Sequence, residues 1–232
     1  MEKITIDYIR EFSKCPVRHY LLQKNPTDEM IKQEAKKNVT KLFLRKLMSE
    51  MVCSEKYLIK KAKEYSKGIG TEEIIEQVLK MCKFFNKQDF DIKCISFPFN
   101  VTLLKDVQIS GEIDIIKRTA FGNDILVYDF SPEPDTKHLL TDPTFLIYVI
   151  AFTNFFDKEV NTIEAYRFET AELVDISRNT QTMIDQMEEL NDTLRKIKKK
   201  RVKPRVSLKC KKCPVKKECF YNQSKVEKEI NG

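Results

Sequence analysis

Three cysteines near the C-terminal end most constrain what this chain of 232 residues can fold into. Cys210, Cys213 and Cys219 follow the spacing C-x2-C-x5-C. A zinc ribbon normally supplies two close cysteine pairs, and this segment supplies one pair and one single cysteine. A 4Fe-4S cluster is held by four thiolates, and three close ligands with a remote fourth fit it. The pattern therefore predicts a 4Fe-4S cluster, with zinc as the alternative.

The fourth ligand has to come from another part of the chain, which contains seven cysteines. Cys15 and Cys94 are the two candidates that spacing leaves open. Cys82 falls on the apolar face of a predicted helix and is expected in the core. An odd number of cysteines does not pair neatly into disulfides, and clustered cysteines in a reducing compartment indicate metal binding.

The positive charge of the chain is concentrated near its C-terminal end. The formal net charge is +7, and residues 195–217 include many Lys and Arg but neither Asp nor Glu. Such a stretch predicts a phosphate-binding surface, and a solvated helix end with a linker is the alternative. The candidate nucleic-acid contacts are Lys198, Lys199, Lys200, Arg201, Lys203 and Arg205.

Two observations argue against a membrane partner. Residues 1–7 have neither the basic nor the apolar region of a signal peptide. The longest apolar run, residues 145–152, is far too short to cross a bilayer. We therefore expect a cytoplasmic protein in a reducing compartment.

The hydrophobic periodicity predicts an α/β fold. Residues 71–85 repeat at helical spacing, and residues 96–103 alternate between apolar and polar as in a strand. Further strands are predicted at 107–117 and 125–130, after a turn at residues 122–124, and the three strands should form an antiparallel meander. A helix carrying Phe145 and Tyr148 should lead to a strand at 162–168, parallel to the third strand. A long helix is predicted from Ala171 to Lys200, with Ile176 and Ile184 facing inward.

We expect these elements to form one domain over residues 1–232, with a mixed sheet flanked by helices. Residues 1–90 would form a helical part, residues 91–200 the sheet-and-helix core, and residues 201–232 a basic, cysteine-rich tail.

The segment from Ile4 to Pro16, followed by Arg18, Tyr20 and Leu21, resembles the N-terminal Cys-Pro segment of iron–sulfur PD-(D/E)XK nucleases. Similar members are the CRISPR-adaptation nuclease family and the nuclease domain of the AddB helicase-nuclease. The resemblance implies a restriction-endonuclease-like fold. It also implies that Cys15, Cys210, Cys213 and Cys219 hold a 4Fe-4S cluster that closes the C-terminal segment on the N-terminus.

The same resemblance implies a nuclease site that binds Mg²⁺ or Mn²⁺. Residues 111–114 read Gly-Glu-Ile-Asp, similar to the family's Gly-x-x-Asp, and this makes Asp114 a candidate metal ligand. Asp129 falls where the family carries Asp/Glu-x-Lys and is the second candidate ligand and catalytic residue. Acidic residues of this kind hold a metal that activates water.

Several catalytic positions depart from the family pattern. Ser131 stands where the motif lysine is expected, and Thr144 replaces the glutamine of Gln-x-x-x-Tyr while Tyr148 is retained. The histidine expected on an N-terminal helix is absent from residues 38–52. Lys137 or Lys117 could supply the missing ammonium from another backbone position.

These features favour a DNA-binding, iron–sulfur protein of nucleic-acid processing that is catalytically degenerate. The alternative is an active Mg²⁺- or Mn²⁺-dependent exonuclease with a relocated lysine. The expected partners are single-stranded DNA or a duplex end, and a helicase or another DNA-processing protein. A zinc-containing interaction protein outside nucleic-acid metabolism is a third possibility.

Overall fold

The computed structural model describes residues 2–24, 26–48, 55–87, 91–131 and 136–199, and single residues or short pieces at 203–205, 207, 210, 211, 213–217 and 219. In chain order its elements are β1 (Glu2–Thr5), α1 (Ile6–Lys14), α2 (Pro16–Lys24), α3 (Asp28–Met48), α4 (Glu55–Ser66), α5 (Thr71–Lys87), β2 (Asp91–Leu104), β3 (Val107–Thr119), β4 (Gly122–Asp129), α6 (Lys137–Thr141), α7 (Phe145–Phe156), β5 (Val160–Arg167), β6 (Glu172–Asp175) and α8 (Thr180–Lys198).

The protein has a mixed α/β fold around a six-stranded, mostly antiparallel sheet. β3 is the central strand: β2 pairs with almost its whole length, β1 pairs with residues 107–110, and β4 pairs with residues 115–119. β2, β3 and β4 form the predicted antiparallel meander. β5 runs parallel to β4, as expected for a strand reached through the α7 crossover, and β6 pairs antiparallel with β5.

The sheet separates two apolar clusters, and helices cover both of its faces. One cluster joins the sheet to α1, α7 and α8, with Ile9, Phe152 and Leu194 fully buried. The other joins the sheet to α3, α4 and α5, and the buried Cys82 belongs to it, as its helical position predicts. Burial of apolar side chains on both faces is the main stabilising contribution in such a layered fold.

The predicted long helix from Ala171 to Lys200 is wrong in its first part. Ala171 has a left-handed φ of 57°, which a helix does not allow, and it ends a turn between β5 and β6. Ile176 is buried, but in extended chain whose N–H bonds to Ile163 O at 2.8 Å. The helix begins only at Thr180, where the Asn179 side chain accepts the N–H of Thr182, and Ile184 is half exposed instead of inward.

The position of one predicted turn also differs from the structure. The turn before β4 lies at residues 120 and 121, and Gly122 with its φ of 147° is already the first residue of the strand. β1 was not predicted at all. Among the described residues, no helix is both long enough and apolar enough to cross a membrane.

Candidate functional site

Asp114 lies where β3 and β4 separate. Regular pairing between these strands begins with Ile115 and Leu126, so Asp114 is the residue just before the paired segment. Its Oδ2 accepts the backbone N–H of Tyr128 at 3.0 Å and thereby replaces a strand-to-strand hydrogen bond. Asp114 is thus held at the opening between the two strands.

The side-chain alternation of β3 is broken at this position. Ile113 packs in the cluster with α1, α7 and α8, whereas Ile115, two residues later, packs in the cluster with α3, α4 and α5. On β2, the residue between the partners of Ile113 and Ile115 is Ser96, which has a left-handed φ of 54°. This local irregularity positions Asp114 between the two faces of the sheet.

Gly111 of the Gly-x-x-Asp segment is explained by packing. A Cβ at this position would lie 2.7 Å from Phe99 Cζ and 2.8 Å from Ile6 Cγ2. These distances are too short for any larger residue unless the Phe99 and Ile6 side chains move. The glycine therefore lets α1 approach the strand that carries Asp114.

Lys37 of α3 is the cation nearest to Asp114. Its Nζ lies 3.8 Å from Oδ1, an oxygen that has no hydrogen-bond partner although Asp114 is only 5% exposed. Burial raises the pKa of Asp114, and Lys37 opposes that effect. Burial by itself would lower the pKa of Lys37, but the Asp114 carboxylate raises it above its ordinary value. The Asp114 carboxylate thus has one ammonium group near one of its oxygens, and burial outweighs that attraction.

Asp129 is the last residue of β4 and has partners on both oxygens. Its Oδ2 accepts from Arg167 Nε at 3.3 Å, and both side chains are buried. Its Oδ1 accepts the Ser131 backbone N–H at 3.0 Å and lies 3.2 Å from His138 Nε2. His138, on α6, therefore belongs to this network.

Both positions of the Gln-x-x-x-Tyr segment contact Arg10 of α1. Arg10 donates from Nε to Asp142 and, at 3.3 Å, to Thr144 Oγ1, and from Nη2 to Tyr148 OH at 3.3 Å. Although burial opposes it, the surrounding acidic groups raise the pKa of Arg10 well above its usual range. Thr144 and Tyr148 thus anchor α1 to the start of α7.

The two lysines suggested as replacements for the motif lysine lie in different surroundings. Lys117 is buried on β3 and forms ion pairs with Asp124, at 3.7 Å, and with Glu164. Lys137 is exposed at the first position of α6. Sequence reasoning missed Lys37, Arg10 and Arg167, because no local pattern links them to carboxylates that are far away along the chain.

The C-terminal segment contacts the end of α1 through Arg205. Arg205 Nη1 donates to the Ser13 carbonyl at 2.7 Å, and the Cys213 N–H bonds to Cys210 O at 3.3 Å. Burial raises the pKa of the Cys213 thiol, and repulsion from Cys210 and Cys15 adds to the rise. No group of three or more His, Cys, Asp or Glu side chains in the described ranges has the geometry of a metal site.

The remaining cysteines that were considered as ligands are partly buried. Cys94 packs at the edge of the cluster with α1, α7 and α8, its Sγ lies 3.9 Å from Ile95 O, and burial raises its pKa. Cys219 is partly buried near the end of the described chain.

No family model and no curated protein matches this chain. Among solved structures, the crystal structure of SSO0001 is similar over 96% of this chain and 86% of that chain, with 13% identity and a TM-score of 0.46. A likeness of this size carries no argument about function.

Some of the predicted nucleic-acid contacts already have partners within the protein. Lys198 forms an ion pair with Asp106 at 3.1 Å, and Arg205 is hydrogen-bonded to α1 as described above. Lys199 and Lys203 are exposed. Lys200 and Arg201 lie outside the described residues.

Proposed function

We propose that this protein is a catalytically degenerate, PD-(D/E)XK nuclease-like protein that binds DNA. Its fold would be tied together by a 4Fe-4S cluster on Cys15, Cys210, Cys213 and Cys219. A helicase or another DNA-processing protein is the partner class that the sequence resemblance implies.

The observation that carries this proposal is the neutralisation of both candidate metal ligands by protein cations. Mg²⁺ needs carboxylate oxygens that can coordinate it. Lys37 lies beside Asp114, and Arg167 occupies one oxygen of Asp129. A divalent ion at the same position would have to displace or repel these cations, so the arrangement disfavours metal binding.

The missing motif lysine supports the same conclusion. Loss of one group that stabilises developing charge lowers turnover by about 10²–10³. Ser131 offers no ammonium, and its backbone N–H already bonds to Asp129. The site therefore combines weakened metal binding with a missing catalytic group, while the surrounding fold is intact.

The cluster assignment is supported by one contact between the two ends of the chain. Arg205 donates to the Ser13 carbonyl of α1, two residues before Cys15. Cluster or metal binding requires thiolates, so it would release protons from the cysteine thiols. A link between residues so far apart in the sequence would restrict the unfolded chain strongly.

The cluster is tested by anaerobic purification followed by analysis of iron, zinc and labile sulfide. We expect iron and sulfide in the wild-type protein, loss of both in Cys15→Ser, and retention of both in the matched Cys94→Ser control. Zinc without labile sulfide would establish the alternative metal, and iron retained in Cys15→Ser would rule out Cys15 as a ligand.

DNA binding and cleavage are tested together with the cluster-containing protein. Labelled single-stranded DNA and duplex DNA are incubated with Mn²⁺, and we expect salt-dependent binding with no cleavage. Absence of binding at low salt would exclude the DNA-binding role. Cleavage that disappears in both Asp114→Asn and Asp129→Asn would show that the site is active.

One observation favours the alternative of an active nuclease. Lys37 enters the space beside Asp114 from a different backbone position and could serve as the relocated lysine. In that case, Lys37→Met abolishes cleavage. The matched control is Lys41→Met on the same helix, because Lys41 forms its ion pair with Glu112 and not with Asp114.

A further inference from the structure

Helix α4 and the residue that follows it carry four exposed lysines. Lys56, Lys60 and Lys63 lie on the helix, and Lys67 follows its last residue with a left-handed φ of 52°. The three helical lysines are four and three residues apart and share one face, because residues three or four apart are neighbours on a helix. We call these four residues the lysine row. Its helical part extends over about 10 Å at 1.5 Å per residue.

The lysine row has no acidic partner among the described residues. By contrast, the partly exposed Lys61 of the same helix pairs with Glu64 at 2.7 Å, and the exposed Lys80 pairs with Glu76 at 2.7 Å. Like charges three or four residues apart on a helix repel each other. The four ammonium groups are therefore an uncompensated line of positive charge that an anionic partner would stabilise.

The opposite side of α4 is used for packing. Leu58 and Ala62 are 4% and 0% exposed, in the cluster that α4 forms with α3 and α5. A helix that binds at a membrane surface needs a free apolar face to insert between lipids. The apolar face of α4 is covered, so the exposed row fits a water-soluble polyanion better than a lipid surface.

The sides of the row add aromatic side chains and further positive charge. Tyr57 and Tyr65 are partly buried on α4. The ammonium group of Lys46 lies 4.6 Å from the ring centroid of Tyr57, and that of Lys61 lies 5.8 Å from the ring centroid of Tyr65. Cations are attracted to the faces of aromatic rings. Two further positive charges, Lys46 and Lys61, therefore lie beside the row.

We infer that the lysine row binds the phosphate backbone of a nucleic-acid strand lying along α4. A strand carries one phosphate per about 3.4 Å of helix axis, so each lysine of the row can reach one. The inference rests on the proposed DNA-binding function and adds a contact surface that is separate from the basic C-terminal stretch. Within that stretch, Lys198 and Arg205 already have partners.

The test compares two variants with the same loss of charge, both made in the full chain. The row variant is Lys56→Gln/Lys60→Gln/Lys63→Gln/Lys67→Gln. The control variant is Lys80→Gln/Lys93→Gln/Lys105→Gln/Lys158→Gln, which removes four exposed lysines from other elements. Thermal unfolding verifies that both are folded. Binding to a labelled 30-nucleotide single strand is measured by fluorescence anisotropy over a range of salt concentrations.

We expect the row variant to bind at least tenfold more weakly than the wild type. Its slope of log affinity against log salt should be lower by about 3, since each phosphate contact on a single strand contributes about 0.7. The control variant should change affinity less than twofold. Single-stranded RNA of the same sequence should give the same loss, because the row contacts phosphate only.

The outcomes separate this inference from the proposed function. A wild-type protein that fails to bind DNA refutes both. Wild-type binding with an unchanged row variant, or an equal loss in the control variant, refutes the inference alone. Binding of the wild type, but not of the row variant, to phosphatidylserine vesicles in the absence of any effect on DNA would assign the row to a membrane surface instead.

Discussion

Asp114 and Asp129 lie on neighbouring strands of one sheet, yet the protein neutralises them in different ways. Asp114 has one ammonium at 3.8 Å, an oxygen without a hydrogen bond, and a pKa that burial raises. Asp129 has a guanidinium on one oxygen and a backbone N–H and an imidazole on the other. The first carboxylate is partly open, whereas the second is built into the structure.

The difference bears on the proposed loss of metal binding. A metal ion held between β3 and β4 would need ligands from both strands, so commitment of one carboxylate to structural bonds would be enough to prevent its binding. Asp129 makes such bonds between β4, β5 and α6. Asp114 keeps an unsatisfied oxygen, which is an energetic cost in a buried group.

The largest expected effect is on stability, in Arg167→Met. This substitution leaves the buried Asp129 carboxylate without its cation, and removal of one partner from a buried ion pair costs about 3–5 kcal/mol. Lys37→Met should cost clearly less, because the Lys37–Asp114 contact is longer and Lys37 is partly exposed. Urea unfolding of both variants measures the two free energies of unfolding.

The double variant Arg167→Met/Asp129→Asn provides the control for that comparison. It should recover part of the stability that Arg167→Met loses, since no unpaired charge is left in the core. Equal losses in Arg167→Met and Lys37→Met would mean that the two carboxylates are held equally firmly, contrary to the contrast drawn above.

A smaller loss of stability is expected for Gly111→Ala. The added Cβ would meet Phe99 and Ile6, and overpacking of a well-packed core costs about 1–3 kcal/mol. The substitution affects β3, the strand that carries Asp114, and leaves the partners of Asp129 in place. Thermal and urea unfolding measure it, and since Gly111 does not have a positive φ, its backbone conformation itself accepts alanine. A Gly111→Ala protein as stable as the wild type would contradict the packing explanation.

Asp114→Asn should change how stability depends on pH. Because the folded-state pKa of Asp114 is raised, its protonated form favours folding. That contribution to stability is complete below about pH 3.9, the pKa of Asp in the unfolded chain. It is lost as the pH rises through the pKa of Asp114 in the folded protein. Asn stays neutral, so the stability of the variant relative to the wild type should increase from pH 4 to pH 7.

Urea unfolding at several pH values gives this comparison directly. Lys37→Met should have the opposite effect, because removal of the ammonium raises the pKa of Asp114 further. The stability of this variant should decline more steeply with rising pH than that of the wild type. A difference between Asp114→Asn and the wild type that does not vary with pH would show that burial does not disfavour the charged carboxylate.

The sequence predicts the parts of this fold that have a regular period. The alternation in β2, the meander and the parallel return of β5 all follow from local pattern and connection rules. β1 has only four residues, too few to show alternation. β6 was assigned to a helix because Ile176 continues the helical spacing of the following segment, while the left-handed Ala171 that prevents a helix has no signal in its residue type.

The sequence predicts the two carboxylates of the candidate site but not the residues that pair with them. Asp114 and Asp129 stand out because they occur at fixed positions on predicted strands. Lys37 and Arg167 lie on elements that pack against those strands only in the folded chain. Since a lysine or arginine is common on any surface, the residue type alone does not identify the one that pairs with a buried carboxylate.

The smallest expected effect is in Ser131→Lys, which restores the lysine of the family motif. We expect no cleavage of single-stranded or duplex DNA with Mn²⁺, because Arg167 still occupies Asp129 and Lys37 still lies beside Asp114. Ser131→Gln is the control for side-chain length without charge. Cleavage by Ser131→Lys alone would mean that a metal displaces these cations without difficulty. The missing lysine, and not the ion pairing of the carboxylates, would then be what separates this site from an active nuclease.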